Sequence, residues 1–166
     1  MTLWGAEFGG VDFEGILDTR RDAVGLVLDV LDATLGLVNS EGEEVFDSDT
    51  VAFTDRATGL LRAFVDTGDV PPFDEEEFFE AAFLESDSLS PYAGSALRLG
   101  LGHIMQFATD QMDWTGVRDA LDACYEIVLQ RQALGRVVTV EMEHENLSCR
   151  RAIELQKELI ATARRS

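Results

Sequence analysis

The sequence predicts an all-α fold, a bundle of five or six helices in one domain spanning residues 1–166. Three observations predict it. Apolar residues recur three and four positions apart through most of the chain, the period of a helix with one buried face. Capping residues, prolines and glycines punctuate these stretches where helices should start and stop. The remaining links are short, which leaves room for one hairpin or strand at most. A hydrophobic content of 46% over 166 residues suits a single domain with a real core.

The first helix is expected from Asp12 or Asp18 to Leu37. On a helical wheel Leu17, Val24, Val27, Leu28, Leu31 and Leu35 share an apolar face. Glu14, Asp18, Asp22, Asp29 and Asp32 fall together on the opposite side, a line of roughly 27 Å at ~1.5 Å per residue. The bland interpretation is a solvated face. Two details point instead to a contact surface: no Lys or Arg interleaves to form pairs one turn away, and Gly25 and Gly36 lie on the same line, where glycine costs ~1 kcal/mol against alanine.

Residues 36–46 are turn-rich and can form a short hairpin around Ser40-Glu41-Gly42, although a loop is preferred. A second helix, capped by Ser48 or Asp49, carries Val51, Ala57, Leu60, Leu61, Phe64 and Val65 and stops at Gly68. After Asp69-Val70-Pro71-Pro72 a short helix is expected from Asp74, with Phe78, Phe79 and Phe83 as core. Ser90-Pro91 opens a helix to about Gln111, burying Leu97, Leu101, Ile104, Phe107 and Ala108. Ala93, Ala96 and Gly100 allow a neighbouring helix to come close. The next helix starts at Asp113 or Thr115, buries Val117, Leu121, Cys124, Tyr125 and Val128, and is capped by Gly135. Residues 136–142 are β-branched enough for a short strand. A break near Asn146 or Ser148 precedes a last helix to about Arg164, burying Cys149, Ala152, Ile153, Leu159, Ile160 and Ala163.

Charge narrows the partners. The chain carries 32 acidic and 13 basic side chains, a net charge of −19, which disfavours direct binding to nucleic acid or to anionic lipid. Residues 1–90 hold 22 acids against 4 arginines, whereas residues 91–166 hold 10 acids against 9 bases. Salt adaptation would acidify the whole surface, so this asymmetry favours a local purpose. A single lysine, Lys157, against 12 arginines fits either salt adaptation or a GC-rich genome. The start has no signal-peptide pattern and the most apolar stretch is too short to span a bilayer, so the expected compartment is the cytoplasm. There Cys124 and Cys149, in no CxxC pair, are expected as reduced, buried thiols.

The run Ser90-Pro91-Tyr92-Ala93-Gly94-Ser95-Ala96-Leu97 opens a long helix, and Ala120-Leu121-Asp122-Ala123 lies in the next. With Arg20-Arg21 leading a helix that contains Leu28-Asp29-Val30-Leu31, and an acidic, proline-containing break, the chain resembles the YjaG-like family of all-helical bacterial proteins of unknown function. The resemblance implies a helical bundle and supplies no catalytic residues.

Catalytic motifs are sparse. There is no GxxxxGK[ST], no GxGxxG after a strand and no GxSxG elbow. The acid runs at 47–49 and 74–77 lack calcium-loop spacing. Glu141-x-x-His144 has the spacing of a di-iron bundle, but the other histidine, His103, has Gly100 where a second glutamate belongs. Zinc on His103, His144 and Cys149 is conceivable on residue type; an exposed His144 and a hydrogen-bonded structural His103 are the ordinary assignments.

The expected function is therefore non-enzymatic and cofactor-free. The chain binds and masks a basic partner protein through Glu14, Asp18, Asp22, Asp29 and Asp32, as an inhibitor or immunity-type protein or a nucleic-acid mimic. The alternative is a helical regulatory or sensory domain of a salt-adapted cell. A weaker one is a metal enzyme using Glu141, His144 and His103.

Overall fold

The computed structural model describes residues 1–69 and 93–165. Among them the fold is all-α. The helices are α1 (Leu3–Phe8), α2 (Phe13–Ile16), α3 (Arg20–Leu35), α4 (Ser48–Ala57), α5 (Gly59–Thr67), α6 (Gly94–Ala108), α7 (Thr115–Ala133), α8 (Val140–Glu145) and α9 (Leu147–Arg165). The expected helix from Asp74, its phenylalanines and the Ser90-Pro91 start lie outside the described residues.

α7 is the centre of the bundle. It packs on α6, α3, α9 and α1, and Val117, Ala120, Leu121, Tyr125 and Val128 are fully buried along it. The closest partner is α6. The stripe of small residues expected to admit a neighbour does so: a Cβ at Gly100 would lie 2.9 Å from the Ala123 Cβ. Gly100→Ala should therefore lose stability by ~1–2 kcal/mol despite the better helix propensity of alanine, because overpacking outweighs it. A fall in the urea midpoint at unchanged slope checks this.

Of the two starts expected for the first helix, the one near Asp18 is close to the observed α3, whereas the longer helix from Asp12 is divided in two. Asp12 caps the single turn α2 by accepting from the Gly15 N–H, the chain is extended at Leu17, and Thr19 caps α3 by accepting from the Asp22 N–H. Two caps inside one apolar pattern break it, because each holds its own residue in β-type geometry. The expected second helix also divides, at Thr58. There Thr50, Thr54 and Thr58 are buried, and the Thr54 and Thr58 hydroxyls donate one turn back to the carbonyls of Thr50 and Thr54. Such back-bonding bends helices.

Residues 36–46 form a loop with one antiparallel bridge, Val38 to Glu44. The Asn39 side chain organises it by accepting from the Glu41 and Glu43 N–H groups. No strand forms at 136–142: residues 136–139 link α7 to α8, and Val140–Met142 are the first turn of α8, which Thr139 caps. Helix α7 ends one residue early: Leu134 takes the left-handed conformation (φ 52°), and Gly135 follows at φ 80°. The break at Asn146 is where expected, with its side chain accepting from the Cys149 N–H.

α1 had no counterpart in the sequence reading. Long-range polar contacts hold it. The Leu3 N–H donates to Glu143 Oε1 (3.0 Å) and Trp4 Nε1 to Gln156 Oε1 (2.8 Å). Gln156 in turn donates to the Leu121 carbonyl (2.9 Å), and Lys157 pairs with Glu7 (2.7 Å). Glu143 and Gln156 are both buried, so these bonds form away from competing water.

Several arginines act as carbonyl clamps. Arg20 donates to the Phe107 and Met112 carbonyls, pairs with Asp110 and lies over the Phe107 ring. Arg118 holds the Gly9 and Val11 carbonyls, and Arg131 the Val45 carbonyl. A planar fork of donors does this better than an ammonium. That gives arginine over lysine a structural use independent of salt.

Both cysteines are free and buried. Burial first of all pushes the Cys124 thiol up to about 12 and the Cys149 thiol up to about 11. Each should label with a thiol reagent at the rate of global unfolding, and faster labelling of either in native protein would contradict the packing.

Candidate functional site

The acidic residues of the N-terminal half do not form one line. Asp18, Asp22 and Asp29 line an open groove of about 450 Å³ bounded by the α2–α3 link, α3, α5 and α9. Its walls include Leu17, Leu26, Val65 and Leu159. Leu159, expected in the core, is half-buried on this wall.

Glu14, on α2, is exposed and lines a different groove beside Trp114 and Arg118. Asp32 is paired: Arg62 from α5 lies 2.7 Å from its Oδ1 and also reaches Asp55 at 3.8 Å. The expectation of an unpaired line of five carboxylates is thus corrected twice. The break at 17–19 moves Glu14 away, and a cation thirty residues distant neutralises Asp32. A Cβ at Gly25 would meet Val65 Cγ1 of α5 at 3.7 Å, an ordinary contact, so alanine fits there and packing does not require the glycine.

The electrostatics of the groove follow. Among the described lining residues Arg21 is the one cation. Its guanidinium donates to the Val65 carbonyl and, at 2.5 Å, to the Asp66 carbonyl, at the negative end of the α5 dipole. Asp29 is raised above the ordinary carboxylate range, by burial first and by Asp32 second, with Arg62 opposing. The groove therefore presents three carboxylates above apolar side chains, with its local cation engaged by backbone.

A second groove, of about 670 Å³, lies between α6 and α7 and is lined by Ser95, Leu99, His103, Asp119, Asp122 and Glu126 among others. No sequence signal pointed to this groove or to its carboxylates. Asp122 is half-buried, and its Oδ1 is shut off from solvent with no hydrogen-bond partner among the described residues. Desolvation, then Glu126 and Asp119, push it up to about 6. Because the folded value is raised above 3.8, Asp122 favours the folded state most at low pH. That contribution is lost as pH rises from about 4 to about 6. Asp122→Asn should therefore stabilise the protein at pH 7, by ~1–2 kcal/mol after discounting for partial exposure, and leave it unchanged below pH 4. Urea unfolding at the two pH values checks this.

The residues of the metal alternative are not assembled. His103 lies in the α6–α7 groove, whereas Glu141 and His144 are exposed on α8. Among the described residues no three His, Cys, Asp or Glu side chains are placed to hold a metal ion. The acid of the 141–145 run that matters structurally is Glu143, between them in sequence and almost fully buried. Its Oε1 accepts from the Tyr125 hydroxyl at 2.6 Å. Burial first, and this bond second, raise the Tyr125 phenol far above its usual range.

No described helix is long and apolar enough to cross a membrane. No family model matches the chain, and no curated protein or solved structure matches it either. The YjaG-like resemblance accordingly contributes nothing to the functional reading.

Proposed function

We propose that this chain is a non-enzymatic binding protein that recognises a basic segment of a partner protein in the α3–α5–α9 groove and masks it. The observation that carries this reading is the convergence of Asp18, Asp22 and Asp29 on one groove whose own arginine is held by the α5 carbonyls. Apolar walls beside carboxylates suit a segment that alternates arginine or lysine with aliphatic side chains, because such side chains bury their stems while pairing their heads. A net charge of −19 adds long-range attraction, which raises the association rate more than the final affinity. Masking a basic surface is what an inhibitor or immunity-type protein does, and the carboxylates would stand where phosphates otherwise bind.

Stopped-flow association with an arginine-rich amphipathic peptide as probe tests the proposal. Charge reversal of Asp18, Asp22 and Asp29 together should slow association at least tenfold and flatten its salt dependence. A matched reversal of Glu141 and Glu145 on α8 and Glu154 on α9, all exposed, should change the rate less than twofold. Equal slowing by both sets would mean that net charge alone recruits the peptide, and would sink the reading.

A further inference from the structure

We propose that Asp122 makes the α6–α7 contact a proton-sensitive joint: with the carboxyl protonated the two helices stay closed, and with the proton released to solvent they part at the groove. The geometry is specific. Gly100 and Ala123 bring the two helices as close as alanine permits, and Asp122 is next to Ala123 in sequence. Its Oδ1 is enclosed, with no donor among the described residues. Neutral, the carboxyl leaves one lone pair unsatisfied, a modest loss. Ionised, the same atom is a desolvated charge without a partner, which the fold tolerates far less.

Its surroundings sharpen the difference. Asp119 and Glu126 lie one turn to either side on α7 and repel the ionised form. From α6 the titratable side chain lining the groove is His103; Ser95 of α6 and Gln130 of α7 are the other polar groups. Among the described lining residues there is no lysine or arginine. The elevated proton affinity of Asp122 places the transition near neutrality, within reach of ordinary changes in pH. All three carboxylates stand on α7, so their repulsion raises the proton affinity without pushing α6 away. What favours separation is hydration of the enclosed oxygen once it is ionised, and closely packed helices separate rather than deform continuously. Opening would widen the groove and wet the buried oxygen.

Amide hydrogen exchange on the full chain at pH 5 and pH 7 tests this, with each rate divided by its intrinsic chemical rate. In the wild type the opening constants of amides in 97–104 and 120–127 should rise about fivefold to tenfold over this range. In Asp122→Asn, expected to be at least as stable as wild type at pH 7, the rise should fall below twofold. Glu126→Gln, which keeps Asp122 but removes a repelling neighbour, should give an intermediate rise. Amides in 149–160 of α9 should follow global stability alone. An equal rise in Asp122→Asn would overturn the proposal, as would a rise abolished by His103→Gln and not by Asp122→Asn. A wild-type opening that does not change with pH would overturn it too.

Discussion

Leu121→Ala is expected to cost ~3–5 kcal/mol, the largest loss of any single truncation considered for this chain. Leu121 is fully buried at the middle of α7, the helix against which α3, α6 and α9 all pack. Its surroundings cannot collapse easily. α6 is already at closest approach through Gly100, and the Leu121 carbonyl is tied to Gln156 on α9. A rigid surround leaves most of the cavity open, which places the cost toward the upper end of the range. Leu159→Ala is the useful contrast. That side chain is half-buried on a groove wall, and its loss should cost only ~1 kcal/mol. Equilibrium urea unfolding of the two variants measures both values, and equal losses would contradict the placement of Leu159.

Glu143→Ala is the second large effect, ~3–4 kcal/mol. The residue is 3% exposed, and its Oε1 accepts from the Tyr125 hydroxyl and the Leu3 N–H together. Alanine leaves two buried donors without an acceptor, each an unsatisfied group costing ~1–3 kcal/mol. Tyr125→Phe removes one donor while leaving the other bond, so it should cost less, ~1–2 kcal/mol. The double variant should be less destabilised than the sum, because the two residues share one bond. Exchange protection at residues 3–8 should fall first in Glu143→Ala, since that bond fixes the start of α1. Protection of α1 equal to wild type would mean that Trp4 and Lys157 hold it without help.

The elements that sequence anticipated best are those whose signals are local. The α7 stripe of Val117, Leu121, Cys124, Tyr125 and Val128 reads directly as a buried helical face. The Asn146 break is legible because its side chain caps within three residues. The small-residue stripe of α6 announced a close neighbour without saying which. What escaped depends on distant partners. α1 is a single apolar turn and a half, whose helix is fixed by Glu143, 140 residues away, and by Gln156, 152 residues away. Asp32 reads as an unpaired charge because helical spacing rules see only one turn, while Arg62 arrives from α5.

The acidic line failed for a related reason. A wheel carries its phase through any apolar pattern, and two caps at Asp12 and Thr19 reset that phase before Asp22. Three of its five residues still meet at one groove, because α3 holds Asp22 and Asp29 in helical register and Asp18 sits just before its cap. Asp122 was invisible for a different reason. Nothing in Ala120-Leu121-Asp122-Ala123 says that one carboxylate oxygen will be enclosed.

The most direct test of the binding account is a map of chemical-shift changes on titrating the arginine-rich peptide into isotopically labelled protein. The account predicts saturating shifts concentrated at Asp18, Arg21, Gly25, Thr162 and Ala163, which line the α3–α5–α9 groove. Shifts centred on the α6–α7 groove, or small changes spread over every acidic surface without saturation, would contradict it.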